Sequence, residues 1–322
     1  MKAPAVSGGL TVLIIEEAAN ELSALISERF PGVRAIVARQ TESLLHHARE
    51  ADVVIASRLP AEFFQRAPRL RWVQTSAAGV EWLLPIRNEV GKVTITNARG
   101  MHGDLIADFV MTGIGMLHWD FRRLLQSQSR RQWDQRKIPR LAGCTMGVVG
   151  LGAIGGAIAC RAKGAGMTTL GTKRDIAKPV EAVDELLPPG GLDELLERSD
   201  FVVLAVPHIP QTSGLIGREQ LRRMRRTAYL VNIARGSVVV ESDLIQALQD
   251  KTIAGAFLDV FEREPLPADS PLWTLPNVIA TPHLSGYPDD YAHAIFNIFA
   301  DNFQRFITGT PLRNVIDLDR GY

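Results

Sequence analysis

The chain has 322 residues, of which 46% are hydrophobic and 22% are charged, and its formal net charge is +1. This composition is typical of a globular protein in water, and the length predicts two domains. The balanced charge gives no reason to expect nucleic acid or a membrane as a partner. The two cysteines, Cys144 and Cys160, lack the spacing of metal ligands, so no metal is expected.

Short apolar runs alternate with amphipathic stretches over the first hundred residues. The sequence predicts strands there at Val12–Ile15, Arg34–Val37, Val53–Ala56, Trp72–Gln74 and Thr94–Thr96. Helices are predicted between them, for example over residues 17–30 and 42–50. Apolar strands that alternate with helices predict a parallel sheet covered on both faces. The apolar run at residues 10–15 is too short to span a bilayer, so we expect a cytoplasmic protein.

One long helix is predicted from Gly100 to Leu125. Gly113 and Gly115 lie inside it, and each glycine lowers the intrinsic helix propensity by roughly 1 kcal/mol. Glycines at these positions would let another backbone approach closely. The helix is therefore expected to be packed rather than free.

A second alternating pattern follows this helix. It predicts strands at Thr145–Val149, Thr168–Thr172, Phe201–Val206, Tyr229–Asn232, Gly255–Leu258 and Val278–Ala280, a helix over residues 157–165, and a final helix from Asp289 to Thr308. The fold class expected is α/β, with two doubly wound parallel-sheet domains. A Rossmann dinucleotide-binding domain (residues 101–287) would be inserted into a flavodoxin-like substrate domain (residues 1–100 and 288–322).

A glycine fingerprint, Gly150-Leu151-Gly152-Ala153-Ile154-Gly155, connects a predicted strand to an Ala-rich helix. In this context, Gly150 permits a tight turn, Gly152 lets the backbone approach a pyrophosphate, and Gly155 lets helix and strand pack closely. The amide groups at the helix start, including those of Ala153 and Ile154, would face the phosphates. The pattern predicts a dinucleotide cofactor.

The residues after the next strand bear on the choice between NADP and NAD. Lys173 and Arg174 stand where an NAD-binding protein carries an acidic residue for the ribose 2′-hydroxyl. Both cations can pair with a 2′-phosphate, so NADP (as NADPH) is the favoured cofactor. Asp175 follows directly and would take the ribose role if the strand end were displaced, which leaves NAD open.

Three residues suited to hydride-transfer chemistry follow later strands: Arg235, Glu264 and His283. A guanidinium can bind a carboxylate, and an imidazole can exchange a proton. A neighbouring carboxylate favours the protonated form of that imidazole. Ligands bind at the carboxyl ends of strands in open α/β sheets, so the trio predicts reduction of a 2-oxo acid at the cofactor edge. Another histidine, His102, is expected at the hinge between the domains, at the edge of the cleft.

These motifs resemble the D-isomer-specific 2-hydroxy acid dehydrogenase family. The matching segments are the fingerprint, Asn232–Gly236, Leu258–Pro267 and Thr281–His283, and the resemblance extends over nearly the whole chain. It implies that Arg235 binds the carboxylate and 2-oxo group of the substrate. It also implies that His283 is the general acid in reduction and the base in oxidation, paired with Glu264.

The resemblance implies further contacts with substrate and cofactor. The segment Ser76–Val80 is similar to the family's substrate-carboxylate loop, in which the N–H groups of Ala78 and Gly79 would bind the substrate. The remaining cofactor contacts that it implies are Pro207, Thr212, Ile233, Gly286, and Asp259 near the nicotinamide carboxamide.

The basic pair at Lys173 is similar to that of the family's NADPH-dependent glyoxylate and hydroxypyruvate reductases. The resemblance implies these 2-oxo acids as substrates and leaves bulkier 2-oxo acids open. From the length of the chain, we do not expect the added regulatory domain that many phosphoglycerate dehydrogenases carry. The resemblance also implies a homodimer, with the Gly100–Leu125 helix at or near the interface. Two alternatives remain open: an NAD-dependent D-2-hydroxy acid dehydrogenase, and a dinucleotide-sensing protein similar to the family's corepressors.

Overall fold

Twelve parallel strands in two separate sheets form the framework of the computed structural model, which describes residues 9–321. The first unit contains the described residues up to Met101 and those from Pro288 onward, and the second runs from His102 to Tyr287. Each unit has its own sheet. Among the described residues, no helix is long and apolar enough to cross a membrane.

The first sheet is flavodoxin-like. Its strands are β1 (Thr11–Ile15), β2 (Arg34–Val37), β3 (Val53–Ala56), β4 (Trp72–Gln74) and β5 (Thr94–Thr96), and its helices up to this point are α1 (Ala19–Arg29), α2 (Thr41–His46), α3 (Ala61–Arg66) and α4 (Arg87–Val90). The order across the sheet is β2-β1-β3-β4-β5. Every residue of β3 is buried, because helices cover both faces of a parallel sheet.

The second sheet has the Rossmann arrangement. Its strands are β6 (Thr145–Val149), β7 (Thr168–Thr172), β8 (Glu185–Leu187), β9 (Phe201–Leu204), β10 (Tyr229–Asn232), β11 (Gly255–Leu258) and β12 (Val278–Ala280), and its helices are α5 (Gly103–His118), α6 (Phe121–Ser129), α7 (Ala153–Gly164), α8 (Leu192–Arg198), α9 (Arg218–Arg223) and α10 (Glu241–Gln249). The order is β12-β11-β10-β9-β6-β7-β8. Strands β7 and β8 lie on one side of β6, and strands β9 to β12 lie on its other side. Folds of this type bind dinucleotides at the point where the strand order reverses in this way.

The last helix, α11 (Tyr291–Thr308), returns to the first unit. Its Phe299 stacks on Trp72 of β4 with ring centroids 5.3 Å apart, and Phe303 packs against Phe30 at 4.8 Å. The aromatic residues of this helix therefore form core, as their spacing predicts. The predicted fold class, with one parallel-sheet domain inserted into another, is confirmed.

The prediction of a single helix from Gly100 to Leu125 is wrong. The chain forms α5 and α6 instead, and Asp120 separates them with a φ of +51°. A left-handed aspartate interrupts the helix, and its side chain accepts a hydrogen bond from the amide of Arg123 at 3.4 Å. The glycines also differ from expectation: a Cβ on Gly113 would lie 2.5 Å from the ring of Phe257, so a side chain approaches there rather than a backbone.

Several other boundaries differ by a few residues. The predicted helix over residues 42–50 is α2 followed by a short 3₁₀ turn, Ala48–Glu50, and the helix predicted from residue 157 begins at Ala153. The strand predicted as Phe201–Val206 ends at Leu204. Strand β8 is an addition that the sequence analysis missed, because three residues at a sheet edge give no apolar run to detect.

Candidate active site

Three adjacent strands of the second sheet lead to Arg235, Glu264 and His283. Arg235 follows β10, Glu264 follows β11 and His283 follows β12, and these strands are neighbours in the sheet. Because all three strands are parallel, their carboxyl ends lie at one edge. The fingerprint turn follows β6 at the same edge of the same sheet.

His283 and Glu264 are paired directly. The Nδ1 of His283 lies 2.7 Å from Oε2 of Glu264, and Oε1 of Glu264 accepts a hydrogen bond from the amide of Phe261 at 3.0 Å. With both oxygens engaged, the carboxylate is fixed, and it favours the imidazole form that carries a proton on Nδ1. His283 is about half exposed, with 45% of its side chain accessible. Its Nε2 is therefore the nitrogen left for a reacting group.

The loop that carries His283 is held by a buried carboxylate. Asp259, which is fully buried at the end of β11, accepts hydrogen bonds from the hydroxyl of Thr281 at 2.6 Å and from the amides of Leu284 at 3.1 Å and Ser285 at 2.9 Å. His283 itself has a φ of +51°, which is unusual for a side chain of this size. The bonds to Asp259 flank His283 on both sides and hold it in this conformation.

The turn that carries Arg235 is organised by Asn232. The buried Asn232 side chain donates to the carbonyl of Arg235 at 3.0 Å and accepts from the amide of Ala234 at 3.1 Å. The next residue, Gly236, packs so closely on Phe261 that an added Cβ would lie 1.8 Å from its carbonyl carbon. The Arg235 turn therefore rests directly on the Phe261–Glu264 turn.

Sequence reasoning matched the segments that contain Asn232 and Gly236 but gave neither residue a structural role. Their signal was an amide side chain at a strand end and a glycine directly after the arginine. The support that Asp259 gives to the histidine loop was also missed, because it depends on a contact between β11 and β12 that a single sequence does not reveal.

A second histidine lies in this unit but differs in its environment. His102 is 8% exposed, and within residues 9–321 its Nδ1 has no hydrogen-bond partner. Burial lowers the pKa of His102, and the positive charge of Arg235 lowers it further. Its ring packs where a Cβ of Gly286 would be, 3.2 Å away. His102 is therefore a neutral, packed residue near neutral pH, in contrast to the accessible His283.

The fingerprint turn has the geometry that a dinucleotide phosphate requires. Gly150 has a φ of +99°, and a Cβ there would lie 2.7 Å from the carbonyl oxygen of Ala205. A Cβ on Gly155 would meet the carbonyl oxygen of Gly150 at 2.0 Å. The space above Gly152, by contrast, is open to 4 Å. Helix α7 begins at Ala153, so its first amides and positive dipole end border this open space and fit a pyrophosphate.

The segment after β7 places the basic pair at the strand end. Lys173 directly follows Thr172, and its Nζ donates to the carbonyl of Lys178 at 3.1 Å. Asp175 accepts from the amide of Ala177 at 3.2 Å and pairs with the ammonium of Lys178 at 3.5 Å. The carboxylate is thus occupied within its own turn, one residue beyond the exposed Arg174.

Four further predicted cofactor residues lie in turns after strands at this edge. Pro207 comes after β9, and its carbonyl accepts a hydrogen bond from the hydroxyl of Thr212 at 2.6 Å, so these two residues form one turn. Ile233 directly follows β10 and is 7% exposed. The predicted residue Gly286 lies after β12, beside the ring of His102.

The two predicted substrate-loop residues, Ala78 and Gly79, belong to the first unit. They follow β4, and the carbonyl of Ala78 accepts a hydrogen bond from the side chain of Asn97 at 2.7 Å. Within the described residues, the amide groups of Ala78 and Gly79 donate to no acceptor. Two adjacent amides without partners suit an anionic group such as a carboxylate.

Comparison with known families decides the class of this protein. The model of the D-isomer specific 2-hydroxyacid dehydrogenase NAD-binding domain matches residues 112–285, which is more than half of the chain. The chain belongs to this family. The sequence-based expectation of the family, and of an NAD(P)-dependent oxidoreductase with a Rossmann domain, is thereby confirmed.

Relatives over most of the chain carry related names. A glyoxylate reductase of Korarchaeum cryptofilum is 35% identical over 85% of this chain and 85% of its own length. A D-3-phosphoglycerate dehydrogenase of Methanocaldococcus jannaschii is 32% identical over 95% of this chain, and the chain spans 59% of that relative's length.

Solved structures show the same architecture. A D-isomer specific 2-hydroxyacid dehydrogenase of Xanthobacter autotrophicus Py2, in complex with NADPH and MES, has a TM-score of 0.89 and 30% identity, covering 98% of this chain and 100% of its own. An NADPH-dependent glyoxylate/hydroxypyruvate reductase of Sinorhizobium meliloti, in complex with NADP and sulfate, has a TM-score of 0.86 and 27% identity, covering 97% and 100%.

Proposed function

We propose that this dehydrogenase reduces a small 2-oxo acid, such as glyoxylate or hydroxypyruvate, to the D-2-hydroxy acid with NADPH. The observation that carries the proposal is the 2.7 Å pair of His283 and Glu264, placed beside Arg235 at the sheet edge that holds the fingerprint turn. This set provides a cation for a substrate carboxylate and an oriented proton donor for the 2-oxo group.

Each side chain of the trio has a distinct task in the proposed reaction. A bound nicotinamide supplies the hydride that arrives at the carbonyl carbon. Arg235 binds the carboxylate and stabilises the negative charge that grows on the 2-oxo oxygen. His283 delivers its Nε2 proton to that oxygen, and Glu264 holds the ring through Nδ1 and stabilises the charged imidazole. In the reverse direction, His283 accepts the proton from the hydroxyl group.

The substrate carboxylate is proposed to have a second set of donors. The amide groups of Ala78 and Gly79 have no hydrogen-bond partner within the described residues. Their loop is held by the side chain of Asn97, which donates a hydrogen bond to the carbonyl of Ala78. Backbone amides bind a carboxylate without adding net charge to the protein. We assign residues 1–100 and 288–322 to the substrate domain, and residues 101–287 to the nucleotide-binding domain.

The preference for NADPH follows from the strand end at β7. Lys173 and Arg174 place two cations where the ribose 2′-phosphate of NADP binds in this fold. The nearest carboxylate, Asp175, is held by Ala177 and Lys178 and so serves poorly as an acceptor for a free 2′-hydroxyl. The named cofactor complexes of the Xanthobacter and Sinorhizobium relatives support the same choice.

We also propose a cytoplasmic homodimer. The region between α5 and β6 exposes four large apolar side chains, with accessible fractions from 39% to 92%: Phe121, Leu125, Trp133 and Ile138. Exposed apolar patches of this kind mark protein interfaces. The interface is assigned to α6 and the segment that follows it, of which only residues 121–125 fall in the region predicted as one helix.

The deciding experiment measures initial rates of NADPH and NADH oxidation with glyoxylate, hydroxypyruvate, pyruvate and phenylpyruvate, with His283→Ala as the control. The expected result is turnover that prefers NADPH and a short substrate, and that falls at least about 100-fold in the variant. A preference for NADH would reject the 2′-phosphate assignment and keep the chemistry. Cofactor binding without turnover of any acid would reject the reductase function.

A further inference from the structure

A partly buried polar cluster lies at the carboxyl edge of the first sheet, outside the trio. Glu16 directly follows β1, Ser76 follows β4, and Tyr291 begins α11. The hydroxyl of Ser76 donates to Oε1 of Glu16 at 2.6 Å, and Ser76 is 1% exposed. The phenol of Tyr291 is hydrogen-bonded to Ser76 as well. The cluster therefore joins the ends of two strands and the last helix.

Glu16 is placed to change its charge near neutral pH. Burial raises the pKa of Glu16 to about 7, the hydrogen bond from Ser76 lowers it in part, and the charge of Glu17 raises it. The titratable groups that face Glu16 are Glu17 beside it and the phenol of Tyr291 from α11, whose pKa is itself raised, mainly by burial. Glu16 is thus mostly neutral below pH 7 and mostly anionic above it.

The partner of Glu16 begins the proposed substrate loop. Ser76 is the first residue of the segment Ser76–Val80, and the amides of Ala78 and Gly79 in that segment are the proposed donors to the substrate carboxylate. A negative charge fixed at the start of this loop repels an anion that binds two to three residues further on. The protonated carboxyl holds the same hydrogen-bonding position without that repulsion.

We propose that Glu16 is a positioning residue of the substrate loop, and that its ionisation weakens the binding of an anionic 2-oxo acid as the pH rises through neutrality. The inference rests on the proposed function, because it requires the Ser76–Val80 loop to bind the substrate carboxylate. It adds a residue of the first sheet to the determinants of KM and leaves the proton transfer of His283 unchanged.

The test compares Glu16→Gln with the matched control Glu17→Gln, which removes an equal charge from the exposed neighbouring residue. KM for hydroxypyruvate and glyoxylate is measured from pH 6 to 8.5 at saturating NADPH, and the ratio of wild-type to variant KM is plotted, so that pH effects common to both enzymes cancel. For Glu16→Gln the ratio is expected to rise from about 1 to about 3–5, with kcat within twofold. For Glu17→Gln the ratio does not rise with pH: it stays near 1 at both ends of the range and dips below 1 between them, because loss of the Glu17 charge lets Glu16 ionise at lower pH.

A second variant, Ser76→Ala, covers the case in which Glu16→Gln does not fold. Loss of the Ser76 hydrogen bond removes an effect that lowers the pKa of Glu16, so the rise in KM must move to higher pH. A flat ratio for Glu16→Gln, an unshifted rise for Ser76→Ala, or a fall in kcat in place of the KM effect would overturn the inference alone. Absence of turnover with any 2-oxo acid at any pH would overturn the proposed function and this inference with it.

Discussion

Two histidines of the second unit, His283 and His102, have opposite environments. His283 is half exposed and held by Glu264, whereas His102 is buried with an unpartnered Nδ1 beside the charge of Arg235. Burial and a nearby cation both disfavour imidazolium, and a hydrogen-bonded carboxylate favours it. The two environments therefore favour His283 over His102 as the proton donor of the proposed reaction.

Glu264→Gln tests the role of the carboxylate in that assignment. The amide can still accept from the His283 ring, but it no longer stabilises the positive charge that the ring must carry as the proton donor. We expect kcat for 2-oxo acid reduction to fall by about 10- to 100-fold, with KM for NADPH unchanged. Steady-state kinetics measure both values. Glu262→Gln, an exposed carboxylate in the same turn, is the matched control, and an equal loss in this variant would contradict the assignment.

The contact between Gly236 and Phe261 gives a prediction for stability. A methyl group on Gly236 would lie 1.8 Å from the Phe261 carbonyl carbon, so Gly236→Ala must push the two turns apart. We expect the free energy of unfolding to fall by about 1–3 kcal/mol and activity to fall with it, because Arg235 and Glu264 lie on those turns. Urea unfolding measures the first effect and initial rates measure the second.

Gly164→Ala is the control for this substitution. Gly164 is the last residue of α7, has no atom within 4 Å of its added Cβ, and has no positive φ. Alanine there should leave stability equal or slightly higher. If Gly236→Ala matched this control, the close packing of the two turns would not matter for stability.

At the scale of elements, strands buried on both faces were predictable because they appear in the sequence as uninterrupted apolar runs. Strand β9 (Phe-Val-Val-Leu) is fully buried and was found, whereas the edge strand β8 (Glu-Leu-Leu) is short and only partly buried and was missed. The break between α5 and α6 was missed because Asp120 adopts a left-handed conformation, and no glycine or proline beside it in the sequence indicates a break.

The candidate site was predictable to a similar degree. Strand ends and glycine turns located the trio, because parallel strands bring their carboxyl ends to one edge whatever the sequence between them. The supporting bonds from Asn232 and Asp259 could not be predicted, since they depend on the side-chain geometry of turns after β10 and β12. The Glu16–Ser76 pair joins residues sixty positions apart and gives no local signal.

The β7 strand end makes a prediction about cofactor choice. In the proposed NADPH site, Lys173→Ala and Arg174→Ala would each remove one charge-assisted bond to the 2′-phosphate, which is worth roughly 1.5–3 kcal/mol. We expect kcat/KM for NADPH to fall about 10- to 100-fold in each variant, with that for NADH unchanged. Arg226→Ala, an exposed cation just before β10 and therefore at the opposite edge of the second sheet, is the control and should leave the NADPH-to-NADH ratio within about threefold of wild type. An equal loss with both cofactors would reject the 2′-phosphate role.

At the scale of the whole molecule, the position of the fingerprint in mid-chain explains why the first unit is discontinuous. The second unit occupies His102–Tyr287, and α11 supplies Phe299 and Phe303 to the core of the first unit across that insertion. A first unit without α11 would expose Trp72, which is fully buried against it. The core of the first unit therefore requires both the segment before the second unit and the segment after it.

The exposed apolar patch on α6 and the following segment makes a prediction about assembly. Two chains of 35.4 kDa would give a particle of about 71 kDa, which light scattering coupled to gel filtration measures directly. Leu125→Arg places a charge at one of the exposed apolar side chains of this region, and burying it unpaired would cost several kcal/mol, so the variant should elute as a monomer. Ile176→Arg makes the same change at an exposed side chain outside the patch and should remain dimeric. A wild-type mass near 35 kDa would remove the proposed interface, and a dimer that survives Leu125→Arg would place it on another surface.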